Sequence, residues 1–241
     1  MKTLSIIIPC YNEALSLSNL FDTCRLACEN RFDVEFVFVD NGSTDNSASV
    51  FEKLLSKKEN NFARLITVPV NKGYGYGIIQ GLFQAEGIVL AWTHADLQTD
   101  PTDVILSFDK YMDKLLKNNC IVKGERKKRN WVDALFTMGM SLFASILLSS
   151  RFSDINAQPK MFNRELLSKF DAAPTDFSLD LFLLYVARTN KIQINTYPVL
   201  FNKRNFGESK GGGTSKGKLK LTNRTVKYIL KLSRNIIKKE K

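Results

Sequence analysis

The stretch LSIIIPCYNE, residues 4–13, joins an apolar, β-branched-rich run to a short polar segment. An apolar run of this length, bounded by polar residues, predicts a buried strand over 4–9. The run VEFVFVD, residues 34–40, has the same character, and apolar residues recur with a helical period between the two runs, over 13–30. A strand, a helix and a second strand in this order predict two parallel strands joined by a crossover helix.

The same alternation continues along the chain. Further strands are predicted at 63–69, 87–92 and 120–124. Further helices are predicted at 43–57, with Ser43 or Thr44 as N-cap, at 76–86 and at 101–117. The sequence therefore predicts an α/β fold with a mainly parallel, Rossmann-like sheet and helices on both faces.

Polar segments follow three of the predicted strands. They are PCYNE at 9–13, DNGSTD at 40–45 and THADLQ at 93–98. In parallel sheets, ligands bind beyond the carboxyl ends of the strands. We therefore expect the three segments to converge on one crevice.

The net charge of +11 belongs to one end of the chain. Residues 202–241 contain 13 Lys and Arg against 2 Asp and Glu, whereas the other 201 residues contain 22 of each sign. A basic tail on a neutral domain indicates a local anionic partner, such as a membrane surface or a polyphosphate, and disfavours a nucleic-acid binder. We therefore expect a domain over 1–210 and a basic loop with a tail helix over 211–241.

The composition is that of a globular protein, with 44% hydrophobic residues in 241, enough for one α/β domain with an appendage. The four cysteines show no metal-ligand spacing and are interpreted as reduced thiols. The first residues lack the apolar length of a secretory signal. Both observations favour the cytoplasm.

Residues 131–150 carry one charge in twenty and could be mistaken for a membrane span. Polar residues recur there every four positions and form a narrow stripe on an apolar helix: Asp133, Thr137, Ser141, Ser145 and Ser149. This pattern predicts a helix at a membrane interface, with packing under the domain as the alternative.

The tail, residues 218–241, shows a related pattern. Basic residues spaced four and three apart share one helical face: Lys220, Arg224, Lys227, Lys231, Arg234 and Lys238. Apolar residues fall on the opposite side, which predicts a basic amphipathic helix at an anionic membrane surface. The alternative is a helix that docks its apolar face on the domain.

His94 is the only histidine, and Asp96 and Gln98 follow it. Together they offer ligands for Mn²⁺ or Mg²⁺, which would neutralise a diphosphate leaving group. Asp40 and Asn41, at the end of a predicted strand, suit hydrogen bonds to the ribose or base of a nucleotide. The glycine-rich stretch 73–81 would let a backbone approach a phosphate at a helix start, with Lys72 adding charge.

In combination these motifs resemble family 2 glycosyltransferases with the GT-A fold, close to the polyprenyl-phosphate (dolichyl-phosphate) sugar synthases and bacterial cell-surface polysaccharide transferases. The resemblance covers about residues 4–210 in consistent order. It rests on the segments SIIIPCYNE, VDNGSTDNS, NKGYGYGIIQGL, HADLQTDP, which resembles the D-A-D-L-Q-x-x-P metal motif, and FNKRNFGESK, which resembles an R-x-x-G-x-S loop.

The resemblance implies roles for individual residues. The nucleotide-sugar site would contain Pro9, Tyr11, Asn12, Glu13, Asp40, Asn41, Lys72, Gly73 and Ala95. The metal ligands would be His94, Asp96 and Gln98. Phosphates of donor or acceptor would face Arg126, Lys160 and Arg204, and the candidate base would be Asp180.

Alternatives stay open for two of these residues. Asp180 would instead cap a helix or form a salt bridge, and Arg126, within ERKKRN, would instead belong to a solvated charge run. Two departures from the family pattern also matter. His94 replaces the first aspartate of the metal motif and favours Mn²⁺ over Mg²⁺, and Asn41 replaces the second aspartate of the nucleotide loop.

The implied function is inverting transfer of a sugar from a UDP- or GDP-sugar to a membrane-associated acceptor, with polyprenyl phosphate favoured. The expected location is peripheral, at the cytoplasmic face of the cell membrane. Alternatives are a saccharide hydroxyl acceptor and a nucleotide-sugar binding protein without turnover. A nucleic-acid binder is disfavoured, because the tail has Tyr228 alone as an aromatic residue for base stacking.

Overall fold

The structure is a computed structural model, and it describes residues 2–127, 131–202 and 215–239. The strands are β1 (Leu4–Cys10), β2 (Val34–Asn41), β3 (Ala63–Val68), β4 (Val89–Trp92), β5 (Cys120–Lys127), β6 (Lys160–Asn163) and β7 (Gln193–Leu200). The α-helices are α1 (Leu17–Ala27), α2 (Ser47–Leu55), α3 (Tyr74–Gln84), α4 (Pro101–Leu116), α5 (Trp131–Leu147), α6 (Leu179–Thr189) and α7 (Ser215–Lys239).

The strands form one sheet in the order β3-β2-β1-β4-β6-β5-β7. Strand β6 runs antiparallel to both of its neighbours, β4 and β5, and the other neighbouring strands are parallel. Because β6 reverses the direction between them, β4 and β5 run the same way and end at the same edge. The prediction of a mainly parallel sheet is confirmed.

Helices cover both faces of the sheet, as predicted. Helices α1, α2 and α4 share a hydrophobic core with Ile6 and Ile8 of β1. Helices α3, α5, α6 and α7 share a second core with Ile7 of the same strand. Successive strand residues point to opposite faces, so strands buried on both sides become continuous apolar runs.

The predicted N-cap of α2 is wrong. The helix begins at Ser47, and Asn46 occupies the N-cap position without a capping hydrogen bond from its side chain. Ser43 and Thr44 lie in the preceding loop, where they bond to Asn12.

The middle of α7 docks on the domain. Ile229 and Leu232 are buried in the core shared with α5 and α6. Arg224, Lys227 and Lys231 are exposed to solvent. This part of the tail helix therefore docks its apolar face on the domain, which was the alternative interpretation. The predicted domain boundary between residues 210 and 211 lies outside the described residues.

The backbone of β5 approaches its neighbour closely at Gly124, where an added Cβ would overlap the carbonyl oxygen of Gln158. We expect Gly124→Ala to lower the free energy of unfolding by about 2–3 kcal/mol, because strand and loop must move apart. The control is Gly139→Ala in α5, where a Cβ would meet nothing within 4 Å. Helix propensity predicts a gain of about 0.5–1 kcal/mol there. Urea unfolding measures both, and equal stabilities would contradict the close approach.

Candidate active site

The ends of three parallel strands lie side by side at one edge of the sheet. Cys10 of β1 is in register with Asp40 of β2, and Ile7 of β1 is in register with Trp92 of β4. The polar segments that follow these strands therefore start at the same edge, here called the rim.

Hydrogen bonds join the first two rim loops. Asn12 has a positive φ of 53°, and its backbone N–H donates to Ser43 Oγ at 3.0 Å. The N–H of Thr44 donates to Asn12 Oδ1 at 2.7 Å, and the N–H of Glu13 donates to Ser47 Oγ at 3.1 Å. Asn12 and Glu13 thus hold the loops together beside Pro9 and Tyr11, which are both partly exposed.

Asp40 and Asn41 end β2 in different environments. A carboxylate oxygen of Asp40 accepts a hydrogen bond from the backbone of Ser43 at 3.0 Å. The buried amide of Asn41 donates to the carbonyl of Gly73 at 2.9 Å and lies against Gly77. This contact holds the start of α3 against the end of β2.

At the start of α3, the missing side chain of glycine leaves room for the backbone around Thr175 to pack closely. Gly73 has φ of 119°, and an added Cβ would stand 2.5 Å from the carbonyl oxygen of Thr175. The backbone N–H of Tyr76 donates to the same oxygen at 2.9 Å. Close packing against Thr175 therefore explains glycine at this position without a ligand. Lys72 is exposed, with its ammonium 5.1 Å from the ring centre of Tyr76.

The predicted metal ligands follow β4 in one short loop. His94, Asp96 and Gln98 are partly exposed, and Ala95 between them is buried. A carboxylate oxygen of Asp96 accepts from the backbone of Gln98 at 3.1 Å, and the Gln98 side-chain amide donates to the carbonyl of Asn202 at 3.1 Å. The loop therefore presents one carboxylate, one imidazole and one amide oxygen.

These three side chains fit a divalent ion, but they supply only part of its coordination shell. In the part of the chain that the structure describes, no three His, Cys, Asp or Glu side chains group together as a metal site. Phosphate oxygens of a bound diphosphate would have to complete the coordination of an ion held by Asp96, His94 and Gln98.

Arg126, predicted to face a phosphate, forms an ion pair within the protein. Its Nε lies 3.0 Å from a carboxylate oxygen of Asp154, and the two side chains are largely buried. Its guanidinium also lies 5.2 Å from the ring centre of Phe201. A solvated charge run does not describe Arg126, because its side chain is largely buried, and its phosphate-facing role stays a prediction. Arg204 lies outside the described residues.

Asp180, the predicted base, is fully buried in the first turn of α6. One of its oxygens accepts hydrogen bonds from Trp92 Nε1 and Gln158 Nε2, both at 3.0 Å. The ammonium of Lys160, also fully buried, lies 3.7 Å from the same oxygen. The salt-bridge alternative therefore describes Asp180 here, and among the described residues its side chain is fully buried.

Lys123 is a charged residue at the rim that the sequence reasoning missed. It stands in β5 next to Lys160 of β6, and only 2% of it is exposed. Burial lowers the pKa of its ammonium from about 10.5 to about 8. A lysine inside the apolar run CIVKG was the available signal, because charge in a buried strand is rare.

The buried salt bridge predicts the outcome of Asp180→Asn. The substitution leaves Lys160 without its counter-charge, so we expect the free energy of unfolding to fall by about 3 kcal/mol. The control is Asp171→Asn, at an exposed position, which should change it by less than about 0.5 kcal/mol. Denaturant unfolding measures both. An Asp180→Asn variant of unchanged stability that had lost only catalytic turnover would instead identify Asp180 as a base.

Comparisons with known proteins extend these observations. The dolichyl-phosphate beta-glucosyltransferase of Dictyostelium discoideum is 26% identical over 211 residues, covering 79% of this chain and 64% of that protein. Its Homo sapiens counterpart is 28% identical over 212 residues, covering 80% and 65%. An undecaprenyl-phosphate 4-deoxy-4-formamido-L-arabinose transferase of Pseudomonas fluorescens is 28% identical over 215 residues, covering 86% and 59%. The chain thus spans less than two thirds of the length of these relatives.

Solved structures show the same fold. Glucosyl-3-phosphoglycerate synthase from Mycobacterium tuberculosis in complex with UDP has a TM-score of 0.72 at 16% identity, covering 96% of this chain and 80% of that one. A mannosyltransferase from Pyrobaculum calidifontis in complex with GDP-Man and Mn²⁺ has a TM-score of 0.62 at 19% identity, covering 87% and 58%. The predicted GT-A architecture is confirmed.

The resemblance noted in the sequence is also confirmed, including its polyprenyl-phosphate branch, which the curated relatives represent. The sequence model described as Glycosyl transferase family 2 matches residues 5–174, more than half of the chain. The chain therefore belongs to glycosyl transferase family 2.

Proposed function

We propose that this chain is an inverting glycosyltransferase that moves a sugar from a UDP- or GDP-sugar to a polyprenyl phosphate. The observation that carries the proposal is the order of side chains along the rim. Polar side chains suited to hydrogen bonds with a nucleotide follow β2 and β1, and the metal motif follows β4. Basic residues stand on β6 and β5. A donor and an anionic acceptor would bind in that order.

The spacing of the strands supports this order. Neighbouring strands lie about 4.8 Å apart, so β4 and β5, with β6 between them, are separated by roughly 10 Å. That distance separates the metal motif from Lys123 of β5, and Lys160 of β6 lies between them, next to the end of β4. The nucleotide would lie on the other side of the metal motif, over the loops that Asn12 joins to Ser43.

At the donor end, Asp40 and the loop at 9–13 would hold the nucleoside, and His94, Asp96 and Gln98 would hold a divalent ion. The ion would neutralise the charge of the departing nucleoside diphosphate. Mn²⁺ accompanies GDP-Man in the mannosyltransferase structure, and an imidazole ligand favours Mn²⁺ over Mg²⁺ here. Asn41, Lys72, Gly73 and Ala95 would support the nucleotide loop.

At the acceptor end, a phosphate is already anionic at neutral pH and needs no strong base. The burial of Asp180 is compatible with such an acceptor, and the buried basic residues Lys123 and Lys160 suit it. A saccharide hydroxyl would require a carboxylate within reach of its proton. The names of the relatives, which are dolichyl-phosphate and undecaprenyl-phosphate sugar transferases, agree with the phosphate acceptor.

Turnover with purified protein tests the proposal. We expect release of one nucleoside diphosphate from a UDP- or GDP-sugar with Mn²⁺, stimulated by a short polyprenyl phosphate. Asp96→Ala should lower kcat by about 100-fold or more, because the ion loses its carboxylate ligand. Asp171→Asn, exposed and distant from the motif in sequence, should leave kcat unchanged.

Other outcomes would select among the alternatives. Turnover that polyprenyl phosphate does not stimulate, but a saccharide does, would identify a hydroxyl acceptor. Nucleotide-sugar binding without turnover under any condition would identify a binding protein. In His94→Asp, activity with Mg²⁺ should rise relative to Mn²⁺, because a hard oxygen ligand replaces the imidazole.

We also propose that the chain binds an anionic membrane surface through 131–150 and 218–241. Helix α5 supports this, because two residues of its polar stripe, Ser141 and Ser145, contact the protein, whereas Ser149, just after the helix, is exposed. Ser141 is buried, and Ser145 Oγ accepts a hydrogen bond from the backbone of Phe152 at 2.9 Å. Large apolar side chains face solvent instead: Trp131 (75% exposed), Met138 (62%), Leu142 (60%) and Ile146 (69%).

Helix α7, which contacts α5, adds positive charge. Its exposed residues include Arg224, Lys227, Lys231 and Arg234. An apolar face beside a basic one matches a bilayer interface with anionic headgroups. Among the described residues, no helix is long and apolar enough to cross a membrane. From this apolar and basic surface we propose peripheral binding, at the cytoplasmic face of the cell membrane.

Cosedimentation with anionic phospholipid vesicles tests the surface. Leu142→Glu should weaken binding by about tenfold, because it places a charge in the apolar stripe of α5. The control is Leu106→Glu, at an exposed leucine of α4 on the opposite face of the sheet. Neutral vesicles should also bind less protein than anionic ones. Equal vesicle binding by the two variants would contradict the role of α5.

A further inference from the structure

The imidazole of His94 packs against an aromatic ring. Its ring centre lies 5.3 Å from that of Tyr74, and the two ring planes are inclined by 32°. In the part of the chain that the structure describes, neither ring nitrogen of His94 forms a hydrogen bond with a protein group. The orientation of the imidazole therefore depends on packing rather than on a hydrogen-bonded partner.

A metal ligand of this kind needs its orientation fixed more than a carboxylate does. A neutral imidazole offers one nitrogen lone pair, in the plane of its ring, whereas a carboxylate offers about four lone-pair positions on two oxygens. A rotation that turns a histidine away from an ion would leave an aspartate within reach of it. Metal-bound histidines are usually held by a second interaction of the ring. Because His94 stands where the family motif has an aspartate, this chain needs such an interaction.

Tyr74 is well placed to provide it, because its own ring is held on two sides. The ring stacks on that of Phe177, with centres 4.4 Å apart and planes within 6° of parallel. Its hydroxyl accepts a hydrogen bond from Gln158 Nε2 at 3.3 Å, and the same nitrogen donates to Asp180 Oδ1 at 3.0 Å. Gln158 and Asp180 are both buried. The ring that contacts His94 is thus supported by one aromatic residue and by a buried amide.

The backbone on either side of Tyr74 is also fixed. The amide of Asn41 donates to the carbonyl of Gly73 at 2.9 Å, and the N–H of Tyr76 donates to the carbonyl of Thr175 at 2.9 Å. The first residue of α3 is therefore held between the end of β2 and the segment that precedes α6. A displacement of the tyrosine would disturb both contacts.

We propose that Tyr74 is a positioning residue for the metal site. Its ring holds the imidazole of His94 in the orientation in which a ring nitrogen reaches the divalent ion. The ligand role of His94 rests on the proposed function, and the positioning role rests on the contacts among Phe177, Tyr74 and His94. The ring of Tyr74 acts on the ion through His94, whereas its hydroxyl bonds to Gln158.

Pulsed electron paramagnetic resonance of Mn²⁺, bound together with UDP or GDP, tests the positioning without turnover. An imidazole nitrogen on the ion gives a nitrogen coupling, which the wild-type chain should show and His94→Asp should lose. Tyr74→Leu should lose or strongly reduce the coupling and weaken Mn²⁺ binding by about tenfold, because the imidazole is no longer held. Tyr74→Phe keeps the ring and should retain the coupling, with Mn²⁺ affinity within about twofold.

Tyr76→Leu is the matched control. Tyr76 lies in the same turn of α3 and is also partly exposed, but its ring lies beside Lys72. The variant removes the same kind of ring and should keep the nitrogen coupling. A double-mutant cycle adds a second control. In the His94→Asp background, Tyr74→Leu should change Mn²⁺ affinity by less than about twofold, because a carboxylate does not depend on the ring.

The outcomes separate this role from the proposed function. An unchanged nitrogen coupling in Tyr74→Leu would overturn the positioning role. An equal loss in Tyr76→Leu would overturn it too, since it would indicate general damage to α3. A wild-type chain without the coupling would do the same, because His94 would then not be a ligand. If the coupling depends on Tyr74 but no sugar is transferred to any acceptor, the proposed function fails and the positioning role stands.

Discussion

The carboxylate of Asp180 is the contact on which the arrangement of the candidate site depends. It accepts hydrogen bonds from Trp92 at the end of β4 and from Gln158 just before β6, and it stands beside the ammonium of Lys160. One group thus fixes α6 against the two strands where the sheet changes from parallel to antiparallel. A buried carboxylate is tolerated only with donors and counter-charge around it, so these four side chains constrain one another.

The reversal at β6 has a second consequence. It returns the chain so that β5 runs parallel to β4 and ends at the same rim. Without that short strand, the basic residues of β5 would not stand beside the metal motif. Four residues, Lys160–Asn163, therefore decide which chemical groups a ligand at the rim would meet.

The first half of the fold could be predicted from sequence, because its strands are continuous apolar runs and its helices are amphipathic. The second half gave weaker signals. Strand β6 has four residues, and β7 is an edge strand with mostly exposed or partly exposed residues. Helix α6 is buried on nearly all sides, including Leu179, Leu181, Leu183 and Leu184. Eight of its eleven residues are buried, so only a narrow solvent-facing side marks this helix in the sequence.

The residues of the candidate site could also be predicted only in part from the sequence. Motif spacing identified the segments that meet at the rim, since chain order and strand ends determine where loops begin. It did not determine what each side chain touches. Asn41 holds Gly73, Arg126 pairs with Asp154, and Gly73 makes room for Thr175, all through contacts between residues at least 28 positions apart. The pattern in 131–150 likewise defined a polar stripe but not the side on which it lies.

Two features of this domain are unfavourable for a protein alone in water. The lysines Lys123 and Lys160 are buried side by side, and the apolar face of α5 is exposed. Both belong to the side of the sheet that α5 and α6 cover, and β5 ends at Lys127, four residues before α5 begins at Trp131. A ligand with a phosphate head and a long apolar tail would relieve both features at once. Free phosphate would relieve the first alone, and a plain bilayer the second alone. The combination is therefore the strongest structural argument for a polyprenyl phosphate as the acceptor.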